Sequence, residues 1–379
     1  MWRKELVEMI KLGKEVLFLE TSHENLRNGE GSFIRLNGGR IMYLFTQFYG
    51  TSRSDAAASR LAACYSDDNG ESWSAPFSFM EKPEDALNIM SVSLLELQNG
   101  EMGLLFLQKE QTDKGKTCIP LYCYSMDGGE NFTAPVPCFN EQSMFVVNND
   151  RMIQLKSGRL IFPLADHGFN HTPGKIRLCY SDDNGRVWHL TDVKVTSPYN
   201  DKTAFEEPGL FELDDGRLLM YFRTGYGHQY QSFSSDGGES WTVPAPNLYF
   251  TSPDSPMLIK RVGDYAVSIF NPMGYNCLAT LTESWGSIKR TPFVLAVSTD
   301  GGVSFDSTNK SSSKGEMADF ARKCFFIEDD TASSYCYPAI IEVSDGFLIS
   351  YYHSNGTAHC LNCAKITKIT WSELERALK

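Results

Sequence analysis

The sequence predicts an all-β fold, a six-bladed β-propeller with four-stranded antiparallel blades, from three observations. An eight-residue pattern, Ser-x-Asp-x-Gly-x-x-Trp/Phe, occurs five times at intervals of 53 to 64 residues: Ser66–Trp73, Ser125–Phe132, Ser181–Trp188, Ser234–Trp241 and Ser298–Phe305. A second pattern, an apolar run, a Gly-containing turn and another apolar run, occurs six times in phase with the first. No Pro/Ser-rich linker or composition shift divides the 379 residues, which therefore read as one domain, 1–379.

The elements follow in chain order. The segment around Glu15–Leu19 is β-prone and precedes the first repeat. Hairpins are then predicted around Gly39 (Phe33–Leu36 with Ile41–Phe45), Gly100 (Leu94–Leu97 with Leu104–Phe106) and Gly158 (Met152–Leu155 with Leu160–Phe162). Three more centre on Gly216 (Leu210–Leu213 with Leu218–Met220), Gly263 (Met257–Ile259 with Ala266–Phe270) and Gly346 (Ile340–Val343 with Leu348–Tyr351). A third strand leads into each octamer, as in Leu61–Tyr65, Ile176–Tyr180 and Phe293–Val297. The octamer supplies a turn: its Asp binds backbone amides, its Gly takes positive φ and its aromatic packs back between sheets. Six hairpins against five octamers imply that the N-terminal strand closes the last blade and hides an exposed edge. The tail Trp371–Leu378 reads as a short structural helix.

Composition excludes some functions. With 47 Asp and Glu against 35 Lys and Arg, nucleic acid is not the expected partner. An anionic small substrate is compatible, because a few arginines can dominate a local pocket. No run approaches transmembrane length, and the charged segment Met1–Lys11 lacks the apolar core of a signal peptide; a cytoplasmic protein without a membrane partner is expected. Cys64, Cys123 and Cys179 each lie two residues before a repeat Ser, on equivalent strands, so they are expected to be buried and unpaired. Cys360 and Cys363 have CxxC spacing without a second pair, and His167 and His171 need not share a face; neither motif argues for a metal or cofactor.

The blade plan also locates the chemistry. The octamer turns join strands 3 and 4 at one end of the ring, so their aspartates are structural. The 2–3 loops and the linkers between blades lie at the other end, where loops converge on the axis. Polar residues there are Asp55, Asn88, Asn148, Asn149, Asp150, Arg151, Asp166, His167, Glu206, Glu207, Arg223, Arg290, Tyr337 and His353.

This set resembles the sialidase (neuraminidase) superfamily of Asp-box, or BNR-repeat, propellers over about residues 30 to 355. Ser54-Asp55 is similar to the loop whose Asp is the family's general acid/base. Glu207 stands ahead of Leu210-Phe-Glu-Leu-Asp-Asp-Gly216, where the family carries the glutamate that serves its nucleophile. Arg223 and Arg290 match carboxylate-binding arginines, and Tyr337, nine residues before Gly346, matches the nucleophilic tyrosine. One feature departs: the family's Arg-Ile-Pro motif is replaced by Gly31-Ser32-Phe33-Ile34-Arg35-Leu36, which removes one of three clamp arginines. Arg35 lies in the strand, and Arg151 is a candidate source of replacement charge.

The resemblance implies a retaining exo-glycosidase for a terminal acidic sugar, sialic acid by default. Asp55, Glu207 and Tyr337 would be catalytic, with Glu206 a second candidate for the base; Arg223, Arg290, Arg151, Asn88, Asp150 and His167 would bind substrate. A neutral tyrosine avoids the repulsion that a carboxylate nucleophile would meet beside a substrate carboxylate. Two alternatives stay open: a hydrolase or lyase for uronate-type sugars with Tyr337 or His167 as base, and a non-catalytic glycan- or protein-binding propeller.

Overall fold

The computed structural model describes residues 10–169, 172–197, 205–274, 290–305, 324–354 and 361–379. Six antiparallel sheets form the blades of the propeller. Blade 1 runs Asn25–Arg35, Ile41–Tyr49, Ser59–Ser66, Phe77–Met80, and blade 2 runs Asn88–Glu96, Met102–Thr112, Gly115–Ser125, Val136–Pro137. Blades 4 and 5 repeat this plan from Glu206–Glu212 to Ala245–Thr251 and from Leu258–Val262 to Cys324–Glu328. Blade 6 takes Tyr335–Val343, Gly346–His353 and Cys363–Thr370 from the chain end and Lys14–Leu19 from its beginning. That closing strand pairs antiparallel, Leu19 opposite Ala364 and Lys14 opposite Lys368. The predicted closure by the N-terminal strand is therefore observed.

Blade 3 is the irregular one. Its inner strand is split into Phe145–Val146 and Ile153–Gln154, both paired with Leu160–Asp166. Between the two pieces, Asn148, Asn149 and Asp150 are buried and leave the ladder. Asn149 donates to the Gly31 carbonyl at 2.8 Å, and Asp150 accepts from Ser32 Oγ at 3.0 Å and Lys260 Nζ at 2.8 Å. Blade 3 thus trades in-plane pairing for bonds to blades 1 and 5.

The octamers work as predicted, with the serine doing more than expected. In every copy its Oγ accepts the amide of the Gly four residues on, at 2.8 to 3.0 Å, and donates to the Asp two residues on. Gly70, at φ +86°, has a second constraint: a Cβ there would sit 2.7 Å from Leu348 of blade 6. The corresponding Gly302 would meet Phe211 of blade 4 at 2.5 Å. Each of these turns therefore packs on the blade before its own. The box aromatics join the apolar clusters between sheets, Trp73 against Phe33 and Tyr43, and Trp188 against Tyr122 and Phe162.

The eight described cysteines are buried thiols, including Cys64, Cys123 and Cys179. Cys363 lies in a strand of blade 6, while Cys360 and His171 lie outside the described residues. Helix Trp371–Leu378 is capped by Thr370, buries Leu374, and through Glu373 accepts the Gly13 amide at 2.8 Å. It ties the chain end to the closing strand. Among the described residues, no helix is long and apolar enough to cross a membrane.

Candidate active site

A pocket of about 1050 Å³ opens on the axis at the end of the ring opposite the octamers. Glu30, Ser91, Glu207 and Tyr337 are set in it by bulges in the inner strands, whereas Asp55, His167 and Arg290 come from loops. Register shifts occur at Gly29/Ser32, Met90/Ser93, Glu206/Gly209 and Cys336/Ala339. At each shift one non-glycine residue takes positive φ: Glu30 (51°), Ser91 (57°), Glu207 (46°) and Tyr337 (58°). Asp150 (56°) does the same in the gap of blade 3. Such backbone costs on the order of 1 kcal/mol or more per residue and gathers at functional sites, where a bulge re-aims a side chain. Neighbouring glycines give it room: a Cβ on Gly209 would lie 2.2 Å from the Tyr221 ring.

Blades 4 to 6 form one half of the pocket. Tyr337 Oη donates to Glu207 Oε1 at 2.6 Å, and Arg223 Nη1 donates to Glu207 Oε2 at 2.8 Å. Arg223 Nε is also bonded to the buried Asp254. Arg290 donates to the Asp254 carbonyl at 3.0 and 3.2 Å and to Cys336 Sγ at 3.2 Å, and its guanidinium lies 5.8 Å from the Tyr337 ring centre. It has no carboxylate ion pair among the described residues. Burial and the neighbouring Glu207 charge push the Tyr337 hydroxyl well above its ordinary pKa. Glu206 lines the pocket beside them, 3.7 Å from Arg223. Burial pushes its carboxyl up to about 7, with Arg223 opposing and Asp254 and Glu207 adding.

Blades 1 to 3 form the other half. Arg27, which sequence reasoning missed, is its organising cation. It donates from Nη1 to Asp55 at 2.5 Å, from Nη2 to Glu30 at 2.7 Å and from Nε to Tyr352 at 2.8 Å. Its guanidinium also lies 4.4 Å from the Phe48 ring centre and 5.2 Å from that of Tyr352. Glu30 takes a second bond from Ser91, and burial raises its pKa despite Arg27. Asp55 is held below the usual carboxylate range: desolvation against the wall raises it, and the Arg27 and Lys109 charges, with the Arg27 hydrogen bond and the Arg290 charge, more than offset that. The Tyr352 ring meets the Tyr337 ring edge-on at 5.7 Å, so the two halves touch.

Asp55, Glu207, Tyr337, Arg223, Arg290 and His167 all line this one pocket. Asn88, Asp150 and Arg151 stand behind its wall. Asn88, fully buried, donates to the Asp55 and Ala57 carbonyls at 2.8 and 2.9 Å, so it fixes the Asp55 loop instead of facing the pocket. Asp150 is consumed by Lys260, Ser32 and the Ile340 amide. Arg151 is buried, donates to the Met257 carbonyl and packs on Tyr221, so it supplies no charge to the pocket. Arg35 is bonded to the Gly39 and Glu342 carbonyls at the other end of the blade. The signal for the missed Glu30 was its glycine neighbours, Gly29 and Gly31, whose Cβ atoms would strike Tyr352 and Tyr43. Among the described residues no cluster of three His, Cys, Asp or Glu side chains is placed to hold a metal.

A family model for the BNR repeat-like domain matches residues 44–350. The chain belongs to the BNR repeat-like domain family. Its fold is that of the sialidase superfamily. A stretch of 98 residues is 35% identical to the anhydrosialidase of Macrobdella decora; it covers 25% of this chain but 12% of that protein, so the match spans about an eighth of the relative. The intramolecular trans-sialidase from Ruminococcus gnavus, solved with oseltamivir carboxylate, superposes with a TM-score of 0.68 at 15% identity, over 96% of this chain and 98% of that one. A Dyadobacter fermentans protein of unknown function superposes with a TM-score of 0.68 at 18% identity, over 94% and 98%. This BNR-repeat chain thus shares its propeller with proteins of more than one description.

Proposed function

We propose that the chain is a retaining exo-glycosidase acting on a terminal acidic sugar, with sialic acid the first to test. The observation that carries this reading is the 2.6 Å bond from Tyr337 to Glu207, whose other oxygen is held by Arg223. A tyrosine with a raised pKa is a poor nucleophile unless a base takes its proton during attack. Glu207 is in place to do so. Tyr337 Oη bonds to the anomeric carbon, its proton passes to Glu207, and the bond to the leaving oxygen breaks. Water then displaces the tyrosine, which recovers its proton from Glu207. Arg290 would grip the substrate carboxylate through charge-assisted hydrogen bonds.

Asp55 serves the leaving oxygen in this scheme and afterwards activates water. Its pairing with Arg27 favours the ionised form. Donation therefore requires proton uptake against an ion pair, and turnover of poorly activated leaving groups should favour acidic pH.

A second reading, a hydrolase or lyase for a uronate-type sugar, is favoured by one observation. Arg27 serves Glu30 and Asp55, and Arg223 serves Glu207 and Asp254, so of these three arginines Arg290 alone is without a carboxylate partner among the described residues. The test is a fluorogenic sialoside against a panel of fluorogenic glycosides and uronides, with Tyr337→Phe and Asp55→Ala as controls. Sialoside turnover lost in both variants supports the first reading. Turnover of uronides alone supports the second, and turnover of nothing in the panel defeats both.

A further inference from the structure

We propose that the half of the pocket built by blades 1 to 3 is a second subsite, which binds an anionic substituent, sulfate or carboxylate, on the sugar attached to the leaving oxygen. This rests on the reading that Tyr337 and Glu207 form the reacting side.

The wall itself makes the case. Among its described lining residues, Arg27, Arg53, Lys109 and Lys116 face two carboxylates, Glu30 and Asp55. Both carboxylates are bonded to Arg27. Lys109 and Lys116 make no ion pair among the described residues. Lys109 is 8% exposed, and its Nζ donates to the Asp55 carbonyl at 2.8 Å, so a nearly buried cation faces the pocket with its charge unmatched by a direct carboxylate partner. The half that carries Tyr337 differs: the charges of its Arg223 and Arg290 are balanced by Glu207 and by Asp254 behind the wall, both bonded to Arg223. Positive potential is therefore concentrated away from the reacting tyrosine.

The basic wall is continuous. Lys109 pairs across the ladder with Cys118, and Lys116 lies two residues before Cys118, hence on the same face of its strand. Cys118 in turn bridges to Met144, whose carbonyl accepts the His167 amide at 3.0 Å. Asp55 stands at the junction of this wall with the reacting half, held by Lys109 and Asn88 through its own carbonyl. A leaving group served by Asp55 would extend along the wall toward Lys116. The pocket volume of about 1050 Å³ is at the top of the range for small-molecule sites and has room for more than one sugar ring.

The test is calorimetric titration of the Tyr337→Phe protein, in which turnover cannot confuse binding. The ligands are lactose, lactose 6′-sulfate, cellobiouronic acid and inorganic sulfate. The charged disaccharides should bind about tenfold more tightly than lactose at low salt, and the advantage should shrink as salt screens it. Lys116→Glu should abolish the advantage and Lys116→Arg should keep it. Preference for the sulfate ester alone, or the uronate alone, identifies which anion the wall takes. Equal affinity for charged and neutral sugars, binding of neither charged sugar, inorganic sulfate binding as well as the sugars, or an advantage that survives Lys116→Glu overturns the proposal. Failure of the glycosidase reading looks different: no glycoside is turned over by the wild type, while the binding contrast stands.

Discussion

Replacing Glu206 by Gln should make the protein more stable in alkali, and the size of the gain can be worked from the pocket. The carboxyl is raised from its ordinary 4.5 to about 7 by burial, with Asp254 and Glu207 adding and Arg223 at 3.7 Å opposing. The folded state then binds more protons than the unfolded state between those two values, so stability falls as pH rises through that window. Each tenfold in proton affinity is about 1.4 kcal/mol, which makes the loss about 3 kcal/mol by pH 8. Gln resembles the protonated acid in shape and charge and cannot titrate. Wild type and Glu206→Gln should therefore match near pH 4.5 and diverge above it, the variant ending about 3 kcal/mol ahead. Urea denaturation of both proteins at pH 4.5, 6 and 8 measures the divergence directly. Parallel pH profiles, or a variant less stable than wild type at pH 8, would refute the account of Glu206 as a carboxyl that burial keeps protonated.

Tyr337→Phe should cost at least about a thousandfold in turnover of any glycoside the wild type hydrolyses, measured as kcat, while unfolding free energy moves by no more than about 1.5 kcal/mol for the single lost hydrogen bond. Arg27→Met leaves Glu30 buried with only the hydroxyls of Ser91 and Tyr352 for direct partners and should destabilise the fold by about 3–5 kcal/mol at pH 7; adding Glu30→Gln should restore part of that loss, and denaturant titration of the two variants tests the order. Ser66→Ala leaves the Gly70 amide of the first octamer without its partner, for a loss of about 1–3 kcal/mol in unfolding free energy with unchanged kcat.

The fold was legible because its signals are local. Each octamer carries its own turn chemistry, and Ser66, Asp68 and Gly70 meet one another within five residues. The hairpins repeat the same apolar spacing, and the count of one more hairpin than octamer pointed to closure by the N-terminal strand. The candidate site was legible where it follows the repeat frame. Glu207 and Tyr337 could be placed because they stand at fixed distances from hairpin glycines, although the structure sets them on strand bulges instead of in loops. The pairing of Arg27 with Asp55 and Tyr352 was not legible, because it joins residues 28 and 325 positions apart. Arg151 and Asp150 were misplaced for the opposite reason. They stand one residue apart at the top of blade 3, but the split inner strand turns both into the interior, where Lys260 of blade 5 pairs with Asp150 and the Met257 carbonyl takes one bond from Arg151.

The closing strand of blade 6 makes the pocket a property of the closed ring. Tyr352, which touches both Arg27 and Tyr337, lies in a strand flanked by Cys363–Thr370, and that strand is the partner of Lys14–Leu19. A nascent chain halted before residue 363 can complete blades 2 to 5, yet it has no strand on which the N-terminal segment can dock. Blade 1 then has only the first two strands of blade 6 beside it, without the closing pair, and the Tyr337 side of the pocket is not locked against Arg27 and Asp55 of blade 1. Closing a ring between residues so distant in sequence is entropically slow, so it should be a late event in folding. Ligand binding in the pocket would then report ring closure, and a cut in the closing strand would silence the site while leaving the middle blades intact.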